Sequence, residues 1–286
     1  MNSYLNLSLS NLSRVDNKQP KQKKERMEKW NIKCNVFAGN EKNEKLMIVI
    51  KDIVEEFDRL IPAGPPLGFK TLEIVNDEVS GPTFYWPKGQ DFYKIALNIS
   101  DLNYNQAAFQ FTQELCRIYC DPRMRSWFIQ LLSHVCALYS LEYLSQKWSE
   151  NPPNEELVEY WYNFDSYKSN LLGAAFSKVD IVKYQVANEW VQYQVNKLRR
   201  KDKVNRGKLL IIAYELLPMF KKNVESWQML PFIGKCSVTP PPSDPKDIVA
   251  DRDTEPDFEK LIGQLPELMM EFANKFYDKI GAREYI

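Results

Sequence analysis

Apolar residues first fall into a helical period at Leu46, Ile50, Ile53, Val54 and Phe57, which predicts an amphipathic helix over 43–60, with a short strand before it over 32–38. The run Ile61-Pro62-Ala63-Gly64-Pro65-Pro66 cannot continue that helix, because its prolines lack amide donors and fix their backbone angles. Three β-like runs follow at 71–75, 82–86 and 92–97, separated by Asn, Asp, Gly and Pro, and predict a small mixed sheet. Beyond Asp101 the period becomes helical again. Ala108, Phe111, Leu115 and Ile118 form one stripe of a helix that Asp121-Pro122 stops near Cys120. A second helix over 126–148 is apolar on most of its faces, which places it at the centre of the fold.

After Asn151-Pro152-Pro153 the chain reads as almost entirely helical, over 155–172, 179–201, 209–223 and 257–280, the last bent at Pro266. A Pro/Asp-rich loop spans 238–256. The fold class is therefore α+β, in three parts: an arm over 1–29, an α+β subdomain over 30–153, and a helical lobe over 154–286. The arm carries the basic stretch 18–29, lacks a sustained period, and is expected to be disordered.

Charge narrows the functional classes. Thirty-eight basic residues balance 38 acidic ones, so no global field draws the chain to nucleic acid or to an anionic membrane, and any charge-driven partner must be met locally. The mean hydropathy of −0.46 and the lack of a long apolar run argue against a membrane span. The first residues lack the basic start and apolar block of a signal peptide. Five cysteines, Cys34, Cys116, Cys120, Cys136 and Cys236, make no regular framework. A cytoplasmic location with reduced thiols is the expectation.

The phrase Ala108-Phe109-Gln110-Phe111-Thr112-Gln113-Glu114-Leu115-Cys116-Arg117-Ile118 resembles the zinc-binding helix of the zincin metallopeptidases, whose signature is H-E-x-x-H. In that signature the two histidines bind zinc and the glutamate activates water. Here the slots hold Gln113, Glu114 and Arg117. On the next helix, Trp127-Phe128-Ile129-Gln130 is similar to the W-x-x-E phrase of the gluzincin branch, with Gln130 in place of the third ligand. The likeness to small bacterial zincin-like proteins covers roughly residues 32–161. It implies a zincin-like domain with two central helices and a cleft between the sheet-bearing part and the helical lobe.

An arginine has no lone pair to give a metal, and Gln113 and Gln130 offer only neutral carbonyl oxygens. No zinc or other cofactor is therefore expected, and no zinc-peptidase activity. Glu114 is the one element of the signature's chemistry still in place, and at i, i+3 it can reach Arg117, whose guanidinium then stands where a dication would. The resemblance implies a pseudoenzyme that binds a peptide or protein through the vacated cleft, an active relative being one candidate partner. The alternative is a metal-independent enzyme built on Glu114 and Arg117. His134, the single histidine, reads as a core or cleft residue rather than a catalyst. Cys116 and Cys120 with His134 and Cys136 read as buried packing rather than a structural zinc site, since His134 and Cys136 point to different faces of their helix.

Overall fold

A computed structural model describes residues 30–77, 83–85, 91–100, 103–179, 188–200, 206–241 and 255–282, so the arm expected over 1–29 lies outside the described residues. The chain opens with β1 (Asn31–Asn35), α1 (Asn40–Leu60), β2 (Thr71–Asn76), β3 (Thr83–Tyr85) and β4 (Tyr93–Leu97). The sheet order is β1-β2-β4-β3. Its first three strands are parallel, and β3 runs antiparallel to β4 at the edge, with Thr83 opposite Ala96.

β1 ends at Asn35, short of the expected residue 38, and α1 starts at Asn40, ahead of the expected residue 43. One side chain explains both shifts. Asn43 already lies inside the helix, and its Oδ1 accepts from the amides of Val36 at 3.0 Å and Phe37 at 2.9 Å, while its Nδ2 donates to the Phe37 carbonyl at 2.8 Å. Those amides are thus removed from the strand ladder, and Asn43 clamps the connecting loop instead of capping the helix.

The α1 helix buries Leu46, Val49, Ile50, Ile53 and Phe57 completely and packs on β1 and on the helices that follow. Its acidic residues fasten it. Asp52 accepts from Trp148 Nε1 at 2.7 Å and Lys147 Nζ at 2.9 Å, and Asp58 accepts from Tyr119 Oη at 2.8 Å. Each is a charge-assisted bond to a partly buried group, stronger than a neutral one.

Two central helices come next, α2 (Tyr104–Cys120) and α3 (Trp127–Glu150). The predicted stripe Ala108, Phe111, Leu115 and Ile118 is fully buried. Asn103 gives α2 no side-chain cap, and the free amide of Tyr104 donates instead to Tyr160 Oη at 3.1 Å. Asp121 makes the turn between the helices at φ 107°, a left-handed conformation unusual for a residue with a side chain. Asp121 is 1% exposed, and its carboxylate accepts from the Arg123 amide at 3.0 Å and from the Arg123 guanidinium at 2.9 and 2.7 Å. Ser126 then caps α3, accepting from the Ile129 amide at 3.1 Å.

The remaining helices are α4 (Trp161–Ser177), α5 (Asn188–Arg199), α6 (Arg206–Lys222), α7 (Leu230–Ile233), α8 (Phe258–Gln264) and α9 (Met270–Ile280). The helix expected over 155–172 is instead a single 3₁₀ turn, Glu155–Leu157, followed by α4, and α4 runs on through Gly173 to Ser177. The bend expected at Pro266 is a full break. Leu265 is extended, at φ −75° and ψ 142°, because the following proline disfavours the helical region for it. Of the Pro/Asp-rich loop, only 238–241 and 255–256 fall among the described residues.

One contiguous core runs through both the sheet-bearing part and the helical lobe. Phe128 of α3 packs against Phe258 of α8 and Phe276 of α9, and Phe220 of α6 packs against Phe276 and Phe272. Removing such a ring costs about 3–5 kcal/mol. Among the described residues no helix is long and apolar enough to cross a membrane.

Candidate functional site

The face of α2 opposite its buried stripe carries Gln106, Gln110, Gln113 and Arg117 at spacings of three and four, with Phe109 and Glu114 beside them. These six residues form one wall of a cavity of about 670 Å³. Gln130 and His134 of α3, one turn apart, form a second wall. Tyr167, Leu171, Ala174, Ala175 and Lys178 come from α4 and its C-terminal end, Arg206, Gly207 and Leu210 from α6, and Asn98 from the end of β4. All four residues that the sequence places in the degenerate motif, Gln113, Glu114, Arg117 and Gln130, therefore line one space.

Gln110 ties this wall to the sheet. Its Oε1 accepts from the Asn98 amide at 2.9 Å and its Nε2 donates to the Asn98 carbonyl at 2.9 Å, so a side-chain amide completes the hydrogen bonding that β4 leaves open at its end. Gln106 Nε2 donates to the same carbonyl at 3.1 Å. The motif half of α2 is held at a fixed height over the strand as a result.

Glu114 is 2% exposed, and Arg117 Nη1 lies 3.0 Å from each of its carboxylate oxygens. Burial raises the Glu114 carboxyl above its ordinary range, and the Arg117 guanidinium works against that rise. Gln113 and Gln130 make no side-chain hydrogen bond among the described residues. Their amides face the cavity free.

His134 is 7% exposed. Its Nδ1 lies 2.9 Å from the Gln130 carbonyl, so Nδ1 must carry the proton and Nε2 must present a lone pair. Burial pushes its pKa down to about 4, against the pull of that carbonyl, and the nearby Arg117 and Arg206 lower it further. At neutral pH the ring is uncharged. The Phe109 ring meets both His134 and Tyr167 edge-on, with centroids 6.2 Å apart in each case.

The donor set does not fit zinc. Arg117 has no lone pair and already donates to Glu114, and the two glutamines are weak oxygen donors. Among the described residues, no three His, Cys, Asp or Glu side chains are grouped so as to hold a metal ion. Cys116, Cys120 and Cys136 do converge in the α2/α3 interface. All three are fully buried, and burial holds the thiols of Cys120 and Cys136 well above their ordinary range. They act as small apolar groups.

Among the cavity residues not legible from the sequence are Tyr167, Lys178 and Arg206. They sit on or at the end of helices whose only sequence signal is an apolar period, and tertiary packing alone brings α4 onto α2 and α3, and α6 onto α3 and α4. No protein-family model matches the chain, and no curated protein or solved structure resembles it at a significant level.

Proposed function

We propose that the chain is a metal-free, zincin-like binding protein that takes a peptide or protein segment into the cleft between α2, α3, α4 and α6. One observation carries this reading. Gln113, Glu114, Arg117 and Gln130, the positions that match the metallopeptidase motif, line one open cavity from two adjoining helices, with a buried carboxylate at its floor. Three of them share a flank of α2 by their spacing, and the packing of α3 on α2 brings Gln130 to the same space. The cavity also has an apolar side, from Phe109, Tyr167 and Leu210, and free amides at Gln113 and Gln130 able to bond an extended main chain.

The test is reversion. Gln113→His, Arg117→His and Gln130→Glu together should create a site that binds about one zinc per chain, read by elemental analysis after dialysis, whereas the natural chain should carry none. A folded triple variant that binds no zinc, or a natural chain holding stoichiometric zinc, refutes the ancestry on which the reading stands. Binding is tested separately: a partner captured by the natural chain should be lost with Ala174→Trp, which fills the mouth of the cavity.

The openness of the cavity also favours a second reading, a metal-independent enzyme in which Glu114 handles a proton. Its raised carboxyl suits that role, but both of its oxygens are engaged by Arg117. If this reading holds, Glu114→Gln abolishes turnover while leaving binding intact.

A further inference from the structure

The chain as a whole is neutral, yet its cleft is not. Among the described residues, the charged side chains lining the cavity are Arg117, Lys178 and Arg206 against one carboxylate, Glu114. That carboxylate is already matched by Arg117, which leaves Lys178 and Arg206 without a partner among the described residues. The two come from different helices, α4's C-terminal end and the first turn of α6, so the fold gathers them. The charge of Arg206 reaches the cavity's interior, where it and Arg117 both act on the buried His134 ring. Like charges lining one cavity make it attractive to an anion. His134 lines the same cavity and is 7% exposed, so its ring lies beside any ligand held there.

We infer that the cleft selects a ligand carrying carboxylate groups, which on the peptide-binding reading above is an acidic segment of the partner chain. Guanidinium forks match planar carboxylates, the ammonium of Lys178 supplies a second point of attraction, and the apolar wall accepts the side chains between the acids. Free amides at Gln113 and Gln130 suit a main chain better than a compact inorganic anion. The inference rests on the proposed function for the word peptide, but not for the word carboxylate.

His134 is the chain's single histidine, so its ring resonances in a histidine-labelled protein report on this cleft alone. The full chain is titrated at pH 7 and constant ionic strength with glutarate, inorganic phosphate, acetyl-Leu-Glu-Leu-Glu-amide and the matching Leu-Gln-Leu-Gln peptide. The acidic peptide and glutarate should shift the His134 signals saturably, with the glutamine peptide at least about tenfold weaker. Lys178→Gln and Arg206→Gln, both at exposed positions, should each weaken the acidic peptide about fivefold and leave the glutamine peptide unchanged. If both peptides bind equally, the charge inference fails while the peptide reading stands. If glutarate binds and neither peptide does, the carboxylate site stands and the peptide reading fails. Phosphate binding tighter than glutarate overturns the carboxylate assignment, and silence of the His134 signals toward every probe overturns both.

Discussion

Arg117→Ala isolates the ion pair at the floor of the cleft. Glu114 keeps only 3% of its side-chain surface in contact with solvent, and both of its oxygens rest on Arg117 Nη1 at 3.0 Å. Removing one member of a fully buried pair costs about 3–5 kcal/mol, because the other charge is stranded. Two features lower that figure. Arg117 is about a third exposed, so solvent already screens its end of the pair, and the stranded carboxyl can escape its charge by taking up a proton. A loss of about 1–3 kcal/mol at pH 7 is expected, read from urea denaturation. The pH dependence has a definite sign. Burial already sets the folded carboxyl above its unfolded value, and without Arg117 it rises further, so the folded variant holds a proton that the unfolded chain releases. The deficit against the natural chain should therefore be largest near pH 8 and shrink as the pH falls toward 5. A deficit that is the same at both pH values, or below about 0.5 kcal/mol throughout, refutes the claim that Glu114 depends on Arg117 for its charge.

Three further outcomes follow from the same geometry. His134 should titrate near pH 4 by proton NMR; because its folded pKa lies below the unfolded 6.5, the unfolded chain takes up a proton first, and up to roughly 3 kcal/mol of stability should be lost as the pH falls from 6.5 to 4. A His134 titration near 6.5 contradicts its burial. Gly234→Ala should destabilise by more than about 2 kcal/mol in thermal melts, since the new Cβ would lie 2.3 Å from Asp121 Cβ and 2.6 Å from the Cys120 carbonyl oxygen, in a turn already anchored by the Gly234 amide at 2.9 Å from that oxygen. Glu114→Met with Arg117→Met should be within about 1 kcal/mol of the natural chain, because a buried ion pair is replaceable by apolar groups of similar size; a loss as large as that of Arg117→Ala alone would show that the pair is needed for folding.

Much of the helical framework was legible because its signals are local. A stripe such as Ala108, Phe111, Leu115 and Ile118 fixes which side of α2 is buried, and Asp121-Pro122 fixes where it stops. The errors have a common cause. At Asn43 and at Leu265 the boundary was decided by a contact or a backbone restriction acting on a neighbour several residues away or one residue ahead, while the apolar period on either side was unchanged. The break at 158–160, before α4, likewise follows a 3₁₀ turn capped by Asn154 Oδ1, which a smooth period does not reveal. Half of the cleft was legible in the same way, since spacing alone puts Gln113, Glu114 and Arg117 on one flank of a helix. The other half, from α4 and α6, depends on which helices pack together, and no local pattern in the sequence records that.

The pairing of Glu114 with Arg117 has two explanations that the surroundings separate. An ordinary i, i+3 pair on a solvated helix face is worth little and leaves both groups in water. Here the carboxylate is withdrawn beneath the cavity floor while the arginine spans the distance from that floor to solvent. Glutamine at position 114 would fill the same space at a smaller desolvation cost, so stability by itself does not account for a charged residue there. What the glutamate does provide is an anchor: it fixes the Arg117 guanidinium against the cavity wall through one nitrogen, leaving the other donors of the fork unclaimed among the described residues. A cation positioned in this way, with Lys178 and Arg206 lining the same cavity, is preorganised for an incoming acceptor rather than consumed by its own partner.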